Sequence, residues 1–215
     1  MLLISYGACA ETNSKPGAHY LHAADIFEML HLTMRMVNPR REHREVAVLT
    51  GLTVKVPESI WGRAMVVSRA DNPGHQRGAA WNIVEAMRFA VDHRCDELVH
   101  LGGDIIPLSH RMVADELDLL RSTGADYIAG RWGDVGEGVG TQCFICRPAA
   151  FFGEDLRCRI HVGSVEPTLE YYMAGVIRQH GLRHVDHIMP YDHSHDLGMF
   201  RAQAARFLNS IGETI

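Results

Sequence analysis

Asp104 is the residue whose type and position most directly suggest chemistry. It follows an apolar run at residues 98–101 and two glycines, Gly102 and Gly103, so we expect a buried strand that ends on an exposed carboxylate. Ligands of α/β proteins bind at the carboxyl ends of the strands, and glycines let a ligand approach the backbone closely. Because Mg²⁺ and Mn²⁺ prefer carboxylate oxygens, Asp104 is a candidate metal ligand.

A single carboxylate cannot complete the coordination shell of a divalent cation, so Asp104 needs partners. The histidine-rich stretch at residues 186–196 offers His193 and His195 as candidates. The alternative, that this stretch is only a solvated surface, stays open. The sequence therefore predicts a metal site if the late stretch folds back onto Asp104.

Residues 72–82 are candidates for holding phosphate groups. They join a predicted strand to a predicted helix, and the N–H groups and dipole of a helix N-terminus attract anions. Arg77 would add positive charge at this position. The alternative is an ordinary strand–turn–helix connection with small residues for packing.

Residues 130–140 are rich in glycine and too long for a tight hairpin, which predicts a functional loop. Trp132 is a candidate to stack on a sugar face, and Asp134 and Glu137 are candidates to contact hydroxyl groups. In the alternative interpretation, Trp132 packs the loop onto the core.

Three cysteines and a histidine have the spacing of a structural zinc site: Cys143, Cys146, Cys158 and His161. Cys143 and Cys146 lie in an apolar run, and a strand there would direct their side chains to opposite faces of a sheet. We therefore favour buried cysteines that act as small hydrophobic residues over a zinc site.

The elements that position these residues alternate between strand-like and helix-like patterns, which predicts an α/β fold with a mostly parallel sheet. The 215 residues contain no internal repeat or evident linker, so we expect one domain over residues 1–215. We expect strands near residues 1–6, 45–49, 64–68, 98–101, 127–129 and 142–146, and helices near 20–37, 76–93, 109–124, 167–181 and 200–211.

Composition narrows the classes of function. The formal net charge of −5 argues against general nucleic-acid binding, which requires a basic face. The sequence contains no run of about 18 apolar residues, so it predicts no membrane span. Residues 1–6 are predicted to form a strand and not a signal peptide. Five cysteines, an odd and scattered set, do not suggest a disulfide framework, so we expect a cytoplasmic protein.

Taken in order, these segments resemble the GT-A nucleotide-sugar glycosyltransferases, and family 2 most closely. In that family an Asn-x-Gly turn and an Ala-x-Asn precede the helix, which Asn72, Gly74, Ala80 and Asn82 match. The family's Asp-x-Asp binds the metal and the donor diphosphate; here the second acid is Asp104, and Gly102 stands where the first acid would be.

The likeness continues through residues 140–151 and into residues 166–183, and it covers roughly residues 64–183 in order. Residues 166–170 resemble the acidic helix start that carries the catalytic base in inverting members. Glu166 is therefore the first candidate for the base, with Asp134 and Glu137 behind it. Pro167 stands in place of the family's second acid.

The resemblance implies a GT-A-like, Rossmann-like sandwich that moves a sugar from a nucleoside diphosphate sugar to an acceptor hydroxyl on a glycan, lipid or protein. The implied cofactor is Mn²⁺ or Mg²⁺ at Asp104, with His193 and His195. The implied donor contacts are Ser5, Tyr6, Asn72, Gly74, Arg77, Asn82, Gly103 and Trp132.

Other functions remain open at this stage. A nucleotidyltransferase shares the strand–acid layout, although it usually has a glycine-rich loop with a base after the first strand, and residues 6–10 contain one glycine and no base. A metal-independent enzyme, a non-catalytic protein that binds a nucleotide sugar or glycan, and a zinc-stabilised interaction domain are further alternatives.

Overall fold

The computed structural model describes residues 1–9, 23–71, 73–133, 137–194 and 196–214. Its strands are β1 Leu2–Cys9, β2 Arg44–Thr50, β3 Met65–Ser68, β4 Glu97–Gly102, β5 Ile105–Pro107, β6 Tyr127–Ala129, β7 Arg131–Trp132, β8 Gly138–Val139, β9 Cys143–Cys146, β10 His184–Asp186 and β11 Tyr191–His193. Its α-helices are α1 Ala23–Val37, α2 Glu58–Trp61, α3 His75–Asp92, α4 Met112–Thr123, α5 Leu169–Gln179 and α6 Leu197–Ser210.

A seven-stranded sheet in the described residues has the order β10-β6-β9-β4-β1-β2-β3. β1 is central and pairs in parallel with β2 and β4, while β9 is antiparallel to both of its neighbours, β4 and β6. The prediction of an α/β fold with a mostly parallel sheet is confirmed. Because β1, β2, β3 and β4 run in one direction, their carboxyl ends share one edge of the sheet.

Hydrophobic side chains cover both faces of this sheet, as the continuous apolar runs in β1, β2 and β4 require. One buried cluster packs α1 and α4 against the sheet and includes Leu30, Leu101 and Leu117. A second cluster packs α3 and α5 against the opposite face and includes Met87 and Met173. A smaller third cluster lies between α1 and α6.

Several element bounds differ from those expected. The helix expected from residue 109 begins at Met112, because the Ser109 hydroxyl accepts the Arg111 N–H before the helix starts; Gly124 ends it in the left-handed conformation, with φ 65°. The helix expected from Pro167 begins at Leu169, after an extended Thr168. Residues 131–132 and 138–139 form a short antiparallel ribbon, so residues 130–140 are not wholly a loop.

Two pairs of short elements were not expected from the sequence. β5 and β11 pair in an antiparallel ribbon outside the main sheet, and β10 extends the main sheet at the edge of β6. Within the described residues, no helix combines the length and apolar character that crossing a membrane requires.

Candidate functional site

Asp104 lies in the two-residue turn between β4 and β5, at the edge where the parallel strands end. The Gly103 N–H donates to the Gly7 carbonyl at 3.0 Å, which joins this turn to the end of β1. From the other side, the Thr33 hydroxyl of α1 donates to the carbonyl oxygens of Gly103 (3.1 Å) and Ile105 (2.9 Å). The backbone around Asp104 is therefore fixed from two directions.

The Asp104 carboxylate lies beside Gln142. The Gln142 Nε2 donates to Asp104 Oδ1 at 3.4 Å, and the Gly102 N–H donates to the Gln142 carbonyl at 2.8 Å. A Cβ added to Gly102 would lie 2.9 Å from Asp104 Oδ1 and 3.2 Å from Gln142 Cγ. The missing side chain at position 102 thus provides the space in which Asp104 and Gln142 meet.

The β5–β11 ribbon brings the late histidine-rich stretch to this turn. His193 is opposite Ile105 in the ribbon register, one position from Asp104, and it is exposed. Burial, with the Cys143 thiol and the Asp104 carboxylate nearby, raises the pKa of Tyr191 to about 12. Tyr191 therefore keeps its phenol proton at neutral pH. His195 lies outside the described residues.

The first turn of α3 lies at the same edge of the sheet, after β3. Gly74 precedes the helix with φ 102°, a conformation that suits glycine, and its carbonyl accepts the Gly78 N–H at 2.6 Å. Gly74 and Arg77 are exposed. The Gln76 side chain accepts the Leu169 N–H at 2.7 Å, which ties this turn to the start of α5. Asn72 lies outside the described residues.

Three residues expected to contact the donor have buried side chains. The Ser5 hydroxyl lies 2.8 Å from His100 Nδ1, and the Tyr6 hydroxyl donates to Glu45 at 2.8 Å. Asn82 is 6% exposed and lies beneath the end of β1. Ser5 and Tyr6 lie in the central strand β1 and Asn82 lies in α3, and all three side chains are buried in the core. Their contact with a donor stays a prediction.

His100 also lies among the buried side chains beneath the site, and the sequence analysis did not identify it. It is 4% exposed, stacks on Phe144, and its Cε1 would lie 3.0 Å from a Cβ on Gly7. Complete burial lowers the pKa of His100 to about 3, so the ring is neutral at physiological pH. A histidine within an apolar strand was the available signal.

Two of the acidic candidates, Glu166 and Glu137, lie on the α5 side of the sheet. Glu166 is exposed and lines a groove of about 390 Å³ beside α5. Glu137 is exposed and directly precedes β8. Asp134 and the side chain of Trp132 lie outside the described part of the chain. Their predicted roles as acceptor base and sugar contacts stay predictions.

Glu170, which the sequence analysis did not select, connects α5 to the Asp104 turn. The Thr141 hydroxyl donates to Glu170 Oε1 at 2.8 Å, and the next residue, Gln142, contacts Asp104. Glu170 Oε2 is buried and has no hydrogen-bond partner among the described residues. An acid in the first turn of a helix was the only sequence signal for it.

The cysteines occupy the hydrophobic core. Cys143 packs in the cluster with α1 and α4, whereas Cys146 packs in the cluster with α3 and α5. The expectation that a strand sends these two thiols to opposite faces is confirmed. Burial raises the pKa of both thiols well above the usual value.

The Asp104 carboxylate is a suitable ligand for a divalent metal, and the ribbon register places His193, whose imidazole is also suitable, opposite the neighbouring Ile105. Among the described residues, no group of three or more histidine, cysteine, aspartate or glutamate side chains is close enough to hold a metal ion. The pair fits a cation whose remaining ligands come from a substrate's phosphates and from water.

Comparisons with known proteins identify the fold. No protein-family model and no curated protein sequence matches the chain. Among solved structures, it resembles a protein from Desulfovibrio desulfuricans described as a nucleotide-diphospho-sugar transferase, with 16% identity, a TM-score of 0.56, and coverage of 87% of this chain and 79% of that one.

It is also similar to a mannosyltransferase from Pyrobaculum calidifontis solved with GDP-mannose and Mn²⁺, with 12% identity, a TM-score of 0.57, and coverage of 100% and 65% of the two chains. A CMP:2-keto-3-deoxy-manno-octonic acid synthetase complexed with CTP matches with 10% identity, a TM-score of 0.54, and coverage of 97% and 99%. The chain thus has the GT-A fold of nucleotide-diphospho-sugar transferases. Its neighbours in that fold include both glycosyltransferases and nucleotidyltransferases.

Proposed function

We propose that this protein transfers a sugar from a nucleoside diphosphate sugar to an acceptor hydroxyl. The observation that carries the proposal is the position of Asp104. Its carboxylate lies at the carboxyl edge of the sheet, in a turn fixed by β1 and α1, with the exposed N-terminus of α3 at the same edge. In open α/β sheets this edge is where ligands bind, and a helix N-terminus there favours phosphate.

In this proposal the donor diphosphate lies between the Asp104 turn and the start of α3. Gly74 and Gly103 let the diphosphate approach the backbone, and the Arg77 guanidinium contributes positive charge. Asp104 and His193 would hold Mn²⁺ or Mg²⁺, with His195 as a further proposed ligand. Such an ion, when bound, would supply positive charge to stabilise the departing diphosphate.

The other half of the reaction requires a group that accepts the proton of the acceptor hydroxyl. Glu166 is the first candidate for this base if the reaction inverts, because its carboxylate is exposed beside a groove that an acceptor can enter. Asp134 and Glu137 remain the alternatives, and Trp132 remains the candidate to stack on the sugar. The proposed acceptors are hydroxyls of a glycan, a lipid or a protein.

A nucleotidyltransferase is the second candidate, because the likeness to the CMP-sugar-acid synthetase spans nearly the whole of both chains. It would act on a nucleoside triphosphate and release pyrophosphate. A protein that binds a nucleotide sugar or glycan without turnover is the third.

The products distinguish these candidates. We expect purified protein, given a panel of UDP-, GDP-, CMP- and dTDP-sugars with Mn²⁺, to release the nucleotide from one donor by hydrolysis or transfer. We expect no pyrophosphate from nucleoside triphosphates and sugar phosphates. Pyrophosphate release would replace the proposal with the nucleotidyltransferase, and donor binding without turnover would replace it with the binding protein.

The proposed base is tested with Glu166→Gln. We expect this variant to lower kcat for transfer by about a hundredfold or more while it leaves donor binding unchanged. The matched control is Glu154→Gln, because Glu154 is also an exposed glutamate and lies in the same region of the chain. Equal transfer rates in the two variants would remove Glu166 from the mechanism.

A further inference from the structure

A polar groove of about 390 Å³ runs along α5, between this helix and residues 159–166. The side chains that matter for its chemistry are Arg159, His161, Glu166, Tyr171, Tyr172 and His180. Arg159 is the one fixed cation and Glu166 the one carboxylate among the described residues that line the groove. A guanidinium binds phosphate and carboxylate groups strongly, so Arg159 is the group through which the groove can hold an anion.

Arg159 supplies the fixed positive charge of the groove. Its Nη1 donates to the Ala150 carbonyl at 3.2 Å, which fixes one part of the guanidinium, and the side chain lines the groove. Its remaining N–H groups are available to a phosphate or carboxylate, which a guanidinium binds in a bidentate manner.

Tyr172 supplies a second oriented donor. Its hydroxyl oxygen accepts the His161 backbone N–H at 2.7 Å. A phenol that accepts this bond still has its own O–H to donate, and the side chain lines the groove. Arg159 and Tyr172 therefore present donors to the same volume, which an anionic group satisfies better than a neutral hydroxyl.

The groove adjoins the part of the molecule where we place the donor. Tyr171, the neighbour of Tyr172, lies against Gly133, the residue that follows β7, since a Cβ on Gly133 would lie 2.6 Å from the Tyr171 hydroxyl oxygen. Glu166 lines the same groove. Leu169, at the start of α5, bonds to Gln76 in the first turn of α3.

We propose that this groove is the acceptor subsite and that the acceptor carries a phosphate or a carboxylate. Arg159 and Tyr172 bind that anionic group, and the hydroxyl that receives the sugar lies at Glu166. The inference rests on the proposed glycosyltransferase function and narrows its substrate class to small anionic acceptors.

Binding of three small probes tests this subsite directly. Glycerol 3-phosphate, glycerate and glycerol share hydroxyl groups and differ in the anion, so each is titrated into isotope-labelled protein and followed by NMR. We expect at least one of the two anions to bind and to shift signals along α5 and residues 159–166, and glycerol to bind at least about tenfold more weakly. The anion that binds identifies the group as phosphate or carboxylate.

Two variants and a control locate the contact. Arg159→Gln and Tyr172→Phe should each weaken anion binding, by about tenfold for the arginine variant. The control, Arg178→Gln, removes the same charge from an exposed position of α5 outside the groove and should leave anion binding unchanged. Absence of anion binding, or equal weakening by Arg159→Gln and Arg178→Gln, overturns the subsite. Donor binding is measured separately on the same samples. Anion binding through Arg159 in a protein that binds no nucleotide sugar supports the anion site and rejects the proposed function.

Discussion

Gly102 is the residue at which this chain departs from the acidic motif that its sequence resembles. The structure shows a physical reason why glycine suits the position: a Cβ there would crowd both Asp104 Oδ1 and the Gln142 side chain. The space that a first acid would fill is used by the contact between Asp104 and Gln142. Among the described residues, the Asp104 carboxylate thus accepts a hydrogen bond from a side-chain amide at the place where the motif has its first acid.

This arrangement predicts the effect of Gly102→Ala. The added methyl group must displace the end of the Asp104 side chain, so we expect donor affinity to fall by about tenfold, because small displacements at a reacting site are costly. The displaced atoms belong to side-chain ends, so we expect the free energy of unfolding to change by no more than about 1 kcal/mol. Titration calorimetry and denaturant unfolding measure the two quantities.

Gly163→Ala is the matched control for that variant, because a Cβ on Gly163 meets no heavy atom within 4 Å. It should leave donor affinity unchanged. If Gly102→Ala also binds the donor as the wild type does, the Asp104–Gln142 contact does not position the donor.

His100 predicts a pH dependence of stability. Its folded-state pKa of about 3 lies below the ordinary histidine value, so its contribution to stability is present above about pH 6.5 and is lost as the pH falls toward 3. Where His100 is protonated in the unfolded chain but not in the folded chain, the free energy of unfolding falls by about 1.4 kcal/mol for each unit by which the pH is lowered. His100→Gln should remove this part of the slope.

Urea unfolding of both proteins between pH 7 and the onset of acid unfolding checks that prediction. The advantage of the wild type over His100→Gln in free energy of unfolding should narrow or reverse as the pH falls. A difference that stays constant across the range would mean that His100 is accessible to protons in the folded protein.

At the scale of elements, the sequence predicted the secondary structure of segments whose conformation depends on residues nearby in the chain. The long strands and helices follow from periodicity: β4 and α3 agree with the sequence to within one residue at each end. The β5–β11 ribbon was not predicted, because three-residue strands carry little periodic signal and pair across 84 positions or more of sequence. His193 was named from composition alone, and only this ribbon places it beside Asp104.

The sequence also did not predict the surroundings of individual side chains within elements that it predicted correctly. Ser5 and Tyr6 lie in a strand that was expected, and its apolar run is typical of a strand covered on both faces, but the sequence does not show which core partners these two polar side chains find. Glu170 was missed for the same reason, since its role depends on where Thr141 lies in three dimensions.

A network between elements predicts a second pH effect. Tyr6 of β1 donates to Glu45 of β2, and Arg63, which precedes β3, lies 3.7 Å from the same carboxylate. Burial raises the pKa of Glu45 in spite of Arg63 and Tyr6. The protonated form is therefore favoured by folding, and the associated stability is present below the ordinary glutamate pKa and is lost as the pH rises through the raised value.

We therefore expect Glu45→Gln, which cannot ionise, to gain stability relative to the wild type as the pH rises from about 4 to about 7. Denaturant unfolding at several pH values measures this difference. Glu42→Gln, an exposed glutamate just before β2, should show no such trend. A wild type that gains stability relative to Glu45→Gln over this range would show that Arg63 outweighs burial.

At the scale of the whole molecule, the sequence predicted the architecture better than the chemistry. Alternating strands and helices, with glycine and proline at their ends, specify an open α/β sheet, and a strand ending in an acid specifies which edge binds ligands. Asp104 and the start of α3 share that edge in the structure. The acceptor side depends on contacts of α5 with residues 159–166, which precede it directly, and with the ribbon of β7 and β8, which is about 30 residues away in sequence and follows no local pattern.

The central claim is that a nucleotide sugar binds at Asp104, and thermal unfolding with UDP-, GDP-, CMP- and dTDP-sugars, with and without Mn²⁺, measures it directly. A donor at about one hundred times its Kd stabilises the folded state by about 2.7 kcal/mol, so we expect one donor to raise the Tm of the wild type by several degrees in the presence of Mn²⁺. Asp104→Asn should lose this shift, whereas Asp118→Asn, at an exposed position of α4, should keep it. No shift with any donor, or an equal shift in Asp104→Asn, would contradict a nucleotide-sugar site at Asp104.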